Sequence, residues 1–322
     1  MPACTSDATR SRVRRVSLLT LLALLTWLAT TLAACGSGAD TGSGSLSVVA
    51  STSWLADISQ NVAGDRFTVS TVIPLNTDPH SFEPTPSDLT RVARADLLVI
   101  NGGGLEGTLE AALRNAGADT TVVVASDGLA PRTLQAGEPS PEHSGEPDPH
   151  FWLDPVSVKT YVENIRDAFA AADPQGADIY EANAAAYLAK LDKLDRWVRQ
   201  QVETVPADDR KLIMNHASHG YFADRYGFSV VGAVLPSVTT GSTPTARQLA
   251  ELIATIRTQG VKAIFVEAEE SPQLAEQIAS ETGVTVVGDL LDHSLTGADG
   301  PAPTYIDMIT FDTRRIVEAL RK

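Results

Sequence analysis

Short apolar runs alternate with amphipathic stretches from residue 46 onward, and this alternation limits the possible folds more than any other feature. Short apolar runs indicate buried parallel strands, and the amphipathic stretches indicate the helices that connect them. We predict strands in two series, at 47–51, 67–73, 96–101 and 121–125, then at 211–214, 229–234, 263–267 and 285–287. Predicted helices lie at 54–62, 87–94 and 105–116, then at 216–226, 245–259, 272–282 and 305–321. The pattern predicts an α/β fold with two lobes, each a parallel sheet flanked by helices.

The stretch 174–203 has the longest helical pattern in the chain. Its apolar positions, spaced by three, four or seven residues, are Tyr180, Tyr187, Leu191, Leu194, Val198 and Val202. At 1.5 Å per residue such a helix would extend roughly 45 Å. We predict a rigid helix at 174–204 that bridges an N-terminal lobe at 46–173 and a C-terminal lobe at 205–322. The alternative is an ordinary surface helix of one larger domain.

Pairs of a capping residue and a proline mark the start of helices. The chain contains three such pairs, Asp154-Pro155, Asp173-Pro174 and Ser271-Pro272. The second pair opens the predicted long helix.

The N-terminal segment has the pattern of an export signal. Four arginines between positions 10 and 15 precede an uncharged apolar run at 16–32. We predict a secretory leader at 1–34. Leu32-Ala33-Ala34-Cys35 resembles a lipobox, which implies cleavage before Cys35 and lipid attachment to it; a plain signal anchor is the alternative. The glycine- and serine-rich residues 36–45 predict a flexible tether. The expected location is therefore extracytoplasmic, with the chain anchored to the membrane.

The net charge argues against one class of partner, and the cysteine content argues against a disulfide. The chain has 25 Lys and Arg against 40 Asp and Glu, a formal net charge of −15, which argues against nucleic acid as a partner. Its two cysteines are Cys4, in the predicted leader, and Cys35, so we predict no disulfide. A chain of this length buries enough apolar surface to fold without one.

Three histidines have surroundings typical of a ligand-binding site. His80 lies in Asp78-Pro79-His80-Ser81-Phe82-Glu83-Pro84, and His150 lies in Asp148-Pro149-His150-Phe151-Trp152-Leu153-Asp154-Pro155. His216 follows the predicted strand 211–214. In open α/β sheets, ligands bind beyond the carboxyl ends of strands. A single histidine is more often structural, but two Asp-Pro-His sequences in one chain favour a shared site.

A fourth candidate ligand, Asp289, follows the predicted strand 285–287 in the same way. Three imidazoles and one carboxylate form a tetrahedral set that suits zinc, and nitrogen-rich sites bind zinc more tightly than manganese. Asp292, three residues further on, is the alternative. We interpret His219 as a structural residue or as a ligand of a second ion, and His293 as a loop residue.

Other functional classes find less support in the sequence. Catalytic zinc keeps an open coordination position and a nearby general base, and the chain has no His-Glu-x-x-His or Gly-x-Ser-x-Gly motif. Asn101-Gly102-Gly103-Gly104 either cradles an anion or forms a tight turn. A chelate receptor would need an aromatic or basic cleft, and the chain contains only 6% aromatic residues. We therefore predict that the chain is not an enzyme. An adhesive lipoprotein remains a further alternative.

Together these motifs, with His216-Ala217-Ser218-His219-Gly220-Tyr221-Phe222 and Tyr305-Ile306-Asp307-Met308, resemble the zinc and manganese solute-binding proteins of ABC transporters. The resemblance covers the chain from the lipobox to its C-terminus. It implies two lobes bridged by a long helix, with one metal ion held in the cleft as cargo by two ligands from each lobe.

Carried over by motif, the metal ligands are His80, His150, His216 and Asp289. Histidine at the third position favours Zn²⁺, with Mn²⁺ as the alternative. The implied partner is a membrane permease, and we expect a monomer. Many zinc-binding members have a histidine-rich loop before the second motif, whereas here 126–147 contains only His143 among acidic residues. We interpret that stretch as a mobile acidic flap.

Overall fold

The structure of the chain is a computed structural model that describes residues 46–116, 120–132 and 147–322. The predicted leader, Cys35, the tether, His143 and most of the acidic flap lie outside these residues. Within them, no helix combines the length and the apolar character needed to cross a bilayer.

The described strands form two four-stranded sheets in which every pair is parallel. The first sheet, ordered β2-β1-β3-β4, contains β1 (Val48–Ala50), β2 (Val69–Thr71), β3 (Leu97–Ile100) and β4 (Thr121–Val124). The second, ordered β6-β5-β7-β8, contains β5 (Lys211–Met214), β6 (Ser229–Ala233), β7 (Ala263–Glu267) and β8 (Thr285–Leu290). The two sheets thus repeat one strand order, and the predicted α/β architecture is confirmed.

The helices pack on these sheets and between them. Those of the first half are α1 (Ser53–Ala63), α2 (Pro86–Val92), α3 (Gly107–Ala116) and α4 (Ser157–Ala172). The long helix is α5 (Ala177–Val202), and a short 3-10 turn over Pro174–Gly176 precedes it. The remaining helices are α6 (Gly220–Tyr226), α7 (Ala246–Gln259), α8 (Gln273–Thr282) and α9 (Tyr305–Leu320).

The long helix α5 contributes one face to the main hydrophobic core. Its buried residues are the six predicted positions and Ala184. That core is continuous from the first sheet, at Val48 and Val99, to the second, at Leu212 and Phe265. Smaller clusters cover the other face of each sheet, around Leu98 in the first and Ile264 in the second. The long predicted helix is confirmed, whereas the domain boundaries at 173 and 205 stay predictions.

Aromatic side chains connect the segment after residue 147 to the second half of the chain. The rings of Trp54 and Trp152 stack with centroids 4.6 Å apart. The Trp152 indole N–H donates a hydrogen bond to the Asp292 carbonyl at 2.7 Å, and the Tyr305 hydroxyl donates to the Trp152 carbonyl at 2.6 Å. All three aromatic side chains are fully buried. Because buried aromatic contacts are large and geometrically specific, they hold the segment around residue 150 against the loop around residue 292.

The structure differs from the sequence-based prediction at three elements. The helix expected at 216–226 begins only at Gly220, because the Ala217 N–H donates to the Ser237 carbonyl at 2.8 Å instead of to a helical partner. Strand β8 continues to Leu290, three residues beyond the predicted end. Helix α4 had no predicted range, although the Asp154-Pro155 pair does mark its start: the Asp154 carboxylate accepts hydrogen bonds from the Val156 N–H and the Ser157 hydroxyl, each at 2.9 Å.

Candidate metal centre

The structure brings His80, His150 and His216 together and adds His293 to them. One ring nitrogen of each of the four histidines lies within 4.8 Å of those of the others. The His150 Nε2 atom lies 3.2 Å from Nε2 of His80 and 3.1 Å from Nε2 of His216. Nitrogens at 2.0 to 2.1 Å from a tetrahedral zinc ion would be about 3.3 Å apart. The spacing of these nitrogens therefore fits a common metal ion.

His216 lies at the point where the strand order of the second sheet reverses. It follows the carboxyl end of β5, and the neighbouring strand β7 ends at Glu267. Loops from adjacent strands diverge at such a switch point and leave a crevice for a ligand. The His216 Nδ1 atom lies 2.7 Å from a carboxylate oxygen of Glu267, and both side chains are fully buried.

His150 is held by a close approach between its own segment and the glycine-rich turn after β3. Gly103 has a φ of +65°, and a Cβ atom there would lie 3.2 Å from the Pro149 Cα atom. Glycine tolerates both the positive φ and the tight contact. The Asn101 side chain donates to the Pro149 carbonyl at 2.9 Å. This turn therefore fixes the backbone just before His150.

The turn after β3 already holds an acidic side chain of the chain itself, that of Glu106. It accepts hydrogen bonds from the N–H groups of Asn101 at 2.7 Å and Gly102 at 3.1 Å, and from the Ser51 hydroxyl at 2.6 Å. The sequence predicts either an anion cradle or a tight turn here. The N–H groups that would form the cradle bind the Glu106 side chain of the chain itself. Burial raises the pKa of Glu106 to about 7, against the opposing effect of these donors.

His80 lies in the loop after β2, which also contacts the second half of the chain. The Asp78 carboxylate accepts a hydrogen bond from the His80 N–H at 2.9 Å and another from the Thr240 hydroxyl at 2.5 Å. His80 is partly exposed, whereas the other three histidines of the cluster are at most 2% exposed. Among the four, His80 is therefore nearest to solvent.

Carboxylates lie against the Nδ1 atoms of the three buried histidines. The Nδ1 atom of His150 lies 2.8 Å from Asp148, and the Nδ1 atom of His293 lies 3.0 Å from Glu269. With the Glu267 contact of His216, each of the three rings has an acidic neighbour. Such carboxylates orient metal-binding imidazoles and make them more basic ligands.

Three of the four histidines are held in the neutral form. Burial lowers the pKa of His80 and His150 well below the usual range, and neighbouring histidines add to the effect. Burial and the nearby His293 lower the pKa of His216 to about 4. Neutral imidazole is the form that coordinates metal. These three side chains are thus ready to bind a metal ion at neutral pH.

The pKa of His293 is shifted in the opposite direction, above its usual value. Burial alone would lower its pKa, but the carboxylates of Asp292, Glu269 and Glu267 raise the value to about 10. At neutral pH both ring nitrogens of His293 therefore carry protons, and a metal ion bound to that ring would have to displace one of them.

Asp289 is placed outside this cluster, which corrects the predicted ligand set. Its carboxylate pairs with Arg315 at 2.9 Å, and its side chain is 46% exposed. The physical reason is the length of β8, because Asp289 lies inside the strand and not in the loop beyond it. The loop instead presents Asp292 and His293, both buried. The sequence alone predicts His293 only as a loop residue, and its place just after the end of β8 is the signal that identifies it as a member of the cluster.

His219 is buried beside the cluster but is not part of it. Its Nδ1 atom lies 2.9 Å from the Ser218 hydroxyl and 3.7 Å from an Asp292 carboxylate oxygen. Burial and His216 lower its pKa to about 3. These contacts favour a structural role for His219 over the alternative role as a ligand of a second ion.

Comparison with known proteins identifies the family. A family model described as zinc-uptake complex component A, periplasmic, matches residues 48–319. The manganese-binding lipoprotein MntA of Halalkalibacterium halodurans is 34% identical over 294 residues, which are 90% of this chain and 95% of MntA. The manganese ABC transporter substrate-binding lipoprotein PsaA of Streptococcus pneumoniae is 30% identical over 310 residues, covering 94% of this chain and 98% of PsaA.

Among solved structures, the periplasmic zinc-binding protein TroA of Treponema pallidum superposes with a TM-score of 0.79. It is 28% identical, and the match covers 87% of this chain and all of TroA. The predicted resemblance is confirmed: the chain belongs to the family of the periplasmic component A of zinc-uptake complexes, whose members are substrate-binding proteins of metal ABC transporters.

Proposed function

We propose that this chain captures Zn²⁺ outside the cytoplasm with the imidazoles of His80, His150, His216 and His293 and delivers it to a membrane permease. The observation that carries the proposal is the convergence of four histidine nitrogens within 4.8 Å of one another. Two of the histidines come from the half of the chain that contains the first sheet, and two come from the half that contains the second. A metal ion bound by all four would therefore connect the two halves.

The donor set supports zinc as the cargo. Once zinc has displaced the extra proton of His293, four neutral imidazoles satisfy its tetrahedral preference, and imidazole ligands favour zinc over manganese. The carboxylates near three of the rings would strengthen binding by fixing their orientation. Since all four positions around the ion would be protein nitrogens, no position is left for the water that a catalytic zinc ion activates. This supports binding and release of the ion without catalysis.

Manganese is the second candidate cargo. The names of MntA and PsaA favour it, because they describe the two relatives as a manganese-binding protein and a protein of a manganese transporter. Oxygen ligands suit manganese better than imidazoles do. The replacement of the predicted ligand Asp289 by His293 removes an oxygen from the set and therefore supports zinc.

The path of delivery rests on the sequence motifs. The lipobox ending at Cys35 supports a lipid anchor, and residues 36–45 would act as a tether that lets a monomeric chain reach the permease. His80, the partly exposed ligand, lies on a loop that also contacts Thr240. Movement of this loop would open the centre, so we place the gate for entry and release of the ion there.

Elemental analysis of the chain purified without added metal, followed by competition between Zn²⁺ and Mn²⁺, tests the proposal. We expect one zinc ion per chain, and we expect zinc to displace manganese at equal concentration. Retention of manganese in the presence of equimolar zinc would overturn zinc as the cargo. Absence of binding for either ion would overturn metal capture itself.

A further inference from the structure

A second group of possible ligands adjoins the four histidines. Glu269, Asp292 and His293 each offer one ligand atom, and these atoms lie within 4.8 Å of one another. His293 belongs to both groups, and its Nδ1 atom lies 3.0 Å from Glu269. The second group therefore differs from the first in chemistry, because it has two carboxylates and one imidazole.

Asp292 is the unusual member of this group. It is fully buried, and neither of its carboxylate oxygens has a hydrogen-bond partner in the described part of the chain. The nearest nitrogen of His219 is 3.7 Å away, which is too far for a hydrogen bond. A buried charge without hydrogen bonds is costly unless it is paired or bound to a metal ion. The two oxygens are therefore ready to bind a cation.

A protonated His293 balances only part of the negative charge of this group. His293 carries at most one positive charge, whereas Glu269 and Asp292 together carry two negative charges when both are ionised. A divalent cation would balance both carboxylates at once. Hard divalent ions such as Mn²⁺ prefer carboxylate oxygens, whereas a nitrogen-only set suits zinc.

We infer that Glu269, Asp292 and His293 form a second coordination site, rich in oxygen, that binds a hard divalent cation of the Mn²⁺ class. The inference rests on the proposed four-histidine site only through the shared residue His293. Because both sites use this side chain, they are occupied in alternation, with one ion per chain. The same chain would thus bind zinc among the four imidazoles and manganese between Glu269, Asp292 and His293.

X-ray absorption spectra of the metal-free full chain loaded with either Zn²⁺ alone or Mn²⁺ alone test the inference without any substitution. Outer-shell scattering from imidazole rings reports how many histidines bind each ion. We expect four imidazoles around zinc and one around manganese, together with oxygen ligands. Four imidazoles around manganese would overturn the second site. The zinc spectrum tests the four-histidine site separately, so failure of one site is distinguished from failure of the other.

Variants supply an independent test of the same inference. Glu269→Gln should weaken Mn²⁺ binding roughly a hundredfold or more, because a ligand is lost, and Zn²⁺ binding only about tenfold, because zinc loses only the acidic neighbour of His293. His80→Ala should do the reverse. Asp289→Asn, which removes a carboxylate outside both groups, is the matched control. Binding would be followed by Mn²⁺ electron paramagnetic resonance and by chelator competition for Zn²⁺, and the Zn²⁺ affinity of Glu269→Gln also shows that this variant folds.

Equal loss of both ions in Glu269→Gln would overturn the inference, because Glu269 would then act only by orienting His293. Unchanged Mn²⁺ affinity in that variant would overturn it as well.

Discussion

The two sheets of this chain have the same strand order, but the buried carboxylate at the switch point has different contacts in each sheet. At the switch point of each sheet lies a buried carboxylate whose pKa burial raises to about 7, Glu106 in the first and Glu267 in the second. Glu106 accepts three hydrogen bonds from Ser51, Asn101 and Gly102. Glu267 instead lies 2.7 Å from the Nδ1 atom of His216.

This difference shows how one architecture serves both stability and binding. In the first sheet the chain fills its own crevice, and the turn that holds Glu106 becomes a rigid support for the backbone before His150. In the second sheet the carboxylate remains available to orient a metal-binding histidine. The comparison therefore predicts that changes at the second switch point affect metal affinity, whereas changes at the first affect stability.

The largest expected effect is the loss of a histidine from either half of the chain. His150→Ala and His216→Ala should each weaken Zn²⁺ binding roughly a hundred- to a thousandfold, since four ligands share a binding free energy of about 10 to 16 kcal/mol. Chelator competition measures the affinity. Asp289→Ala is the control and should bind zinc as the unaltered chain does. A much weaker effect for one of the two histidines would break the equivalence of the two halves.

The pH dependence of zinc affinity should be set mainly by the proton on His293. Because the pKa values of His80, His150 and His216 lie below the usual range, these rings stay neutral at mildly acidic pH. The pKa of His293 is raised to about 10, so zinc must displace its proton throughout this range. Affinity should therefore fall about tenfold for each unit from pH 7.5 to 5.5, that is, about a hundredfold overall. A slope near four powers of ten per unit would show that the other three rings are protonated too.

The next effect in size is a difference in zinc affinity between substitutions of the two switch-point carboxylates. Glu267→Gln should weaken zinc binding roughly ten- to a hundredfold, because it removes the acidic neighbour of a ligating imidazole. Glu106→Gln, the same substitution at the switch point of the first sheet, should leave zinc affinity nearly unchanged. Titration of both variants with zinc in a competing chelator gives the comparison. Equal losses would contradict the division of roles between the sheets.

The fourth expected effect concerns the stability of the fold and Glu106. Its pKa is raised from 4.5 to about 7 in the folded chain. Between these pH values the folded state holds a proton that the unfolded state has lost, so this group lowers stability as pH rises through that window. The contribution is up to about 1.4 kcal/mol for each pH unit. Denaturant unfolding of the metal-free chain at pH 5 and pH 7 should show a smaller pH dependence for Glu106→Gln than for the unaltered chain. An identical dependence would mean that Glu106 is ionised across the range.

The sequence predicted the fold well where periodicity is strong. The apolar stripe from Tyr180 to Val202 and the short runs at β5 and β7 give element bounds that differ from the structure by few or no residues. The Asp-Pro-His sequences also identified His80 and His150, because the same three residues occur twice in the chain. Such signals depend on neighbouring residues alone.

The fourth member of the cluster depends on information that neighbouring residues do not contain. Thr285 to Val287 are clearly apolar, but the strand continues through Gly288 and Asp289 because β8 pairs with the full length of β7 up to Glu267. This pairing moves the start of the loop by three residues and replaces Asp289 by His293 in the cluster. The contacts of Glu267 with His216 and of Glu269 with His293 likewise arise only when distant segments pack together.

The central claim is that one zinc ion is bound by four imidazoles, two from each half of the chain. Anomalous diffraction at the zinc absorption edge, from crystals of the zinc-loaded chain, tests it most directly. The account predicts a single strong peak with nitrogens of His80, His150, His216 and His293 at 2.0 to 2.1 Å. A zinc ion that instead binds a carboxylate oxygen in place of His293, or lies elsewhere in the chain, would contradict it.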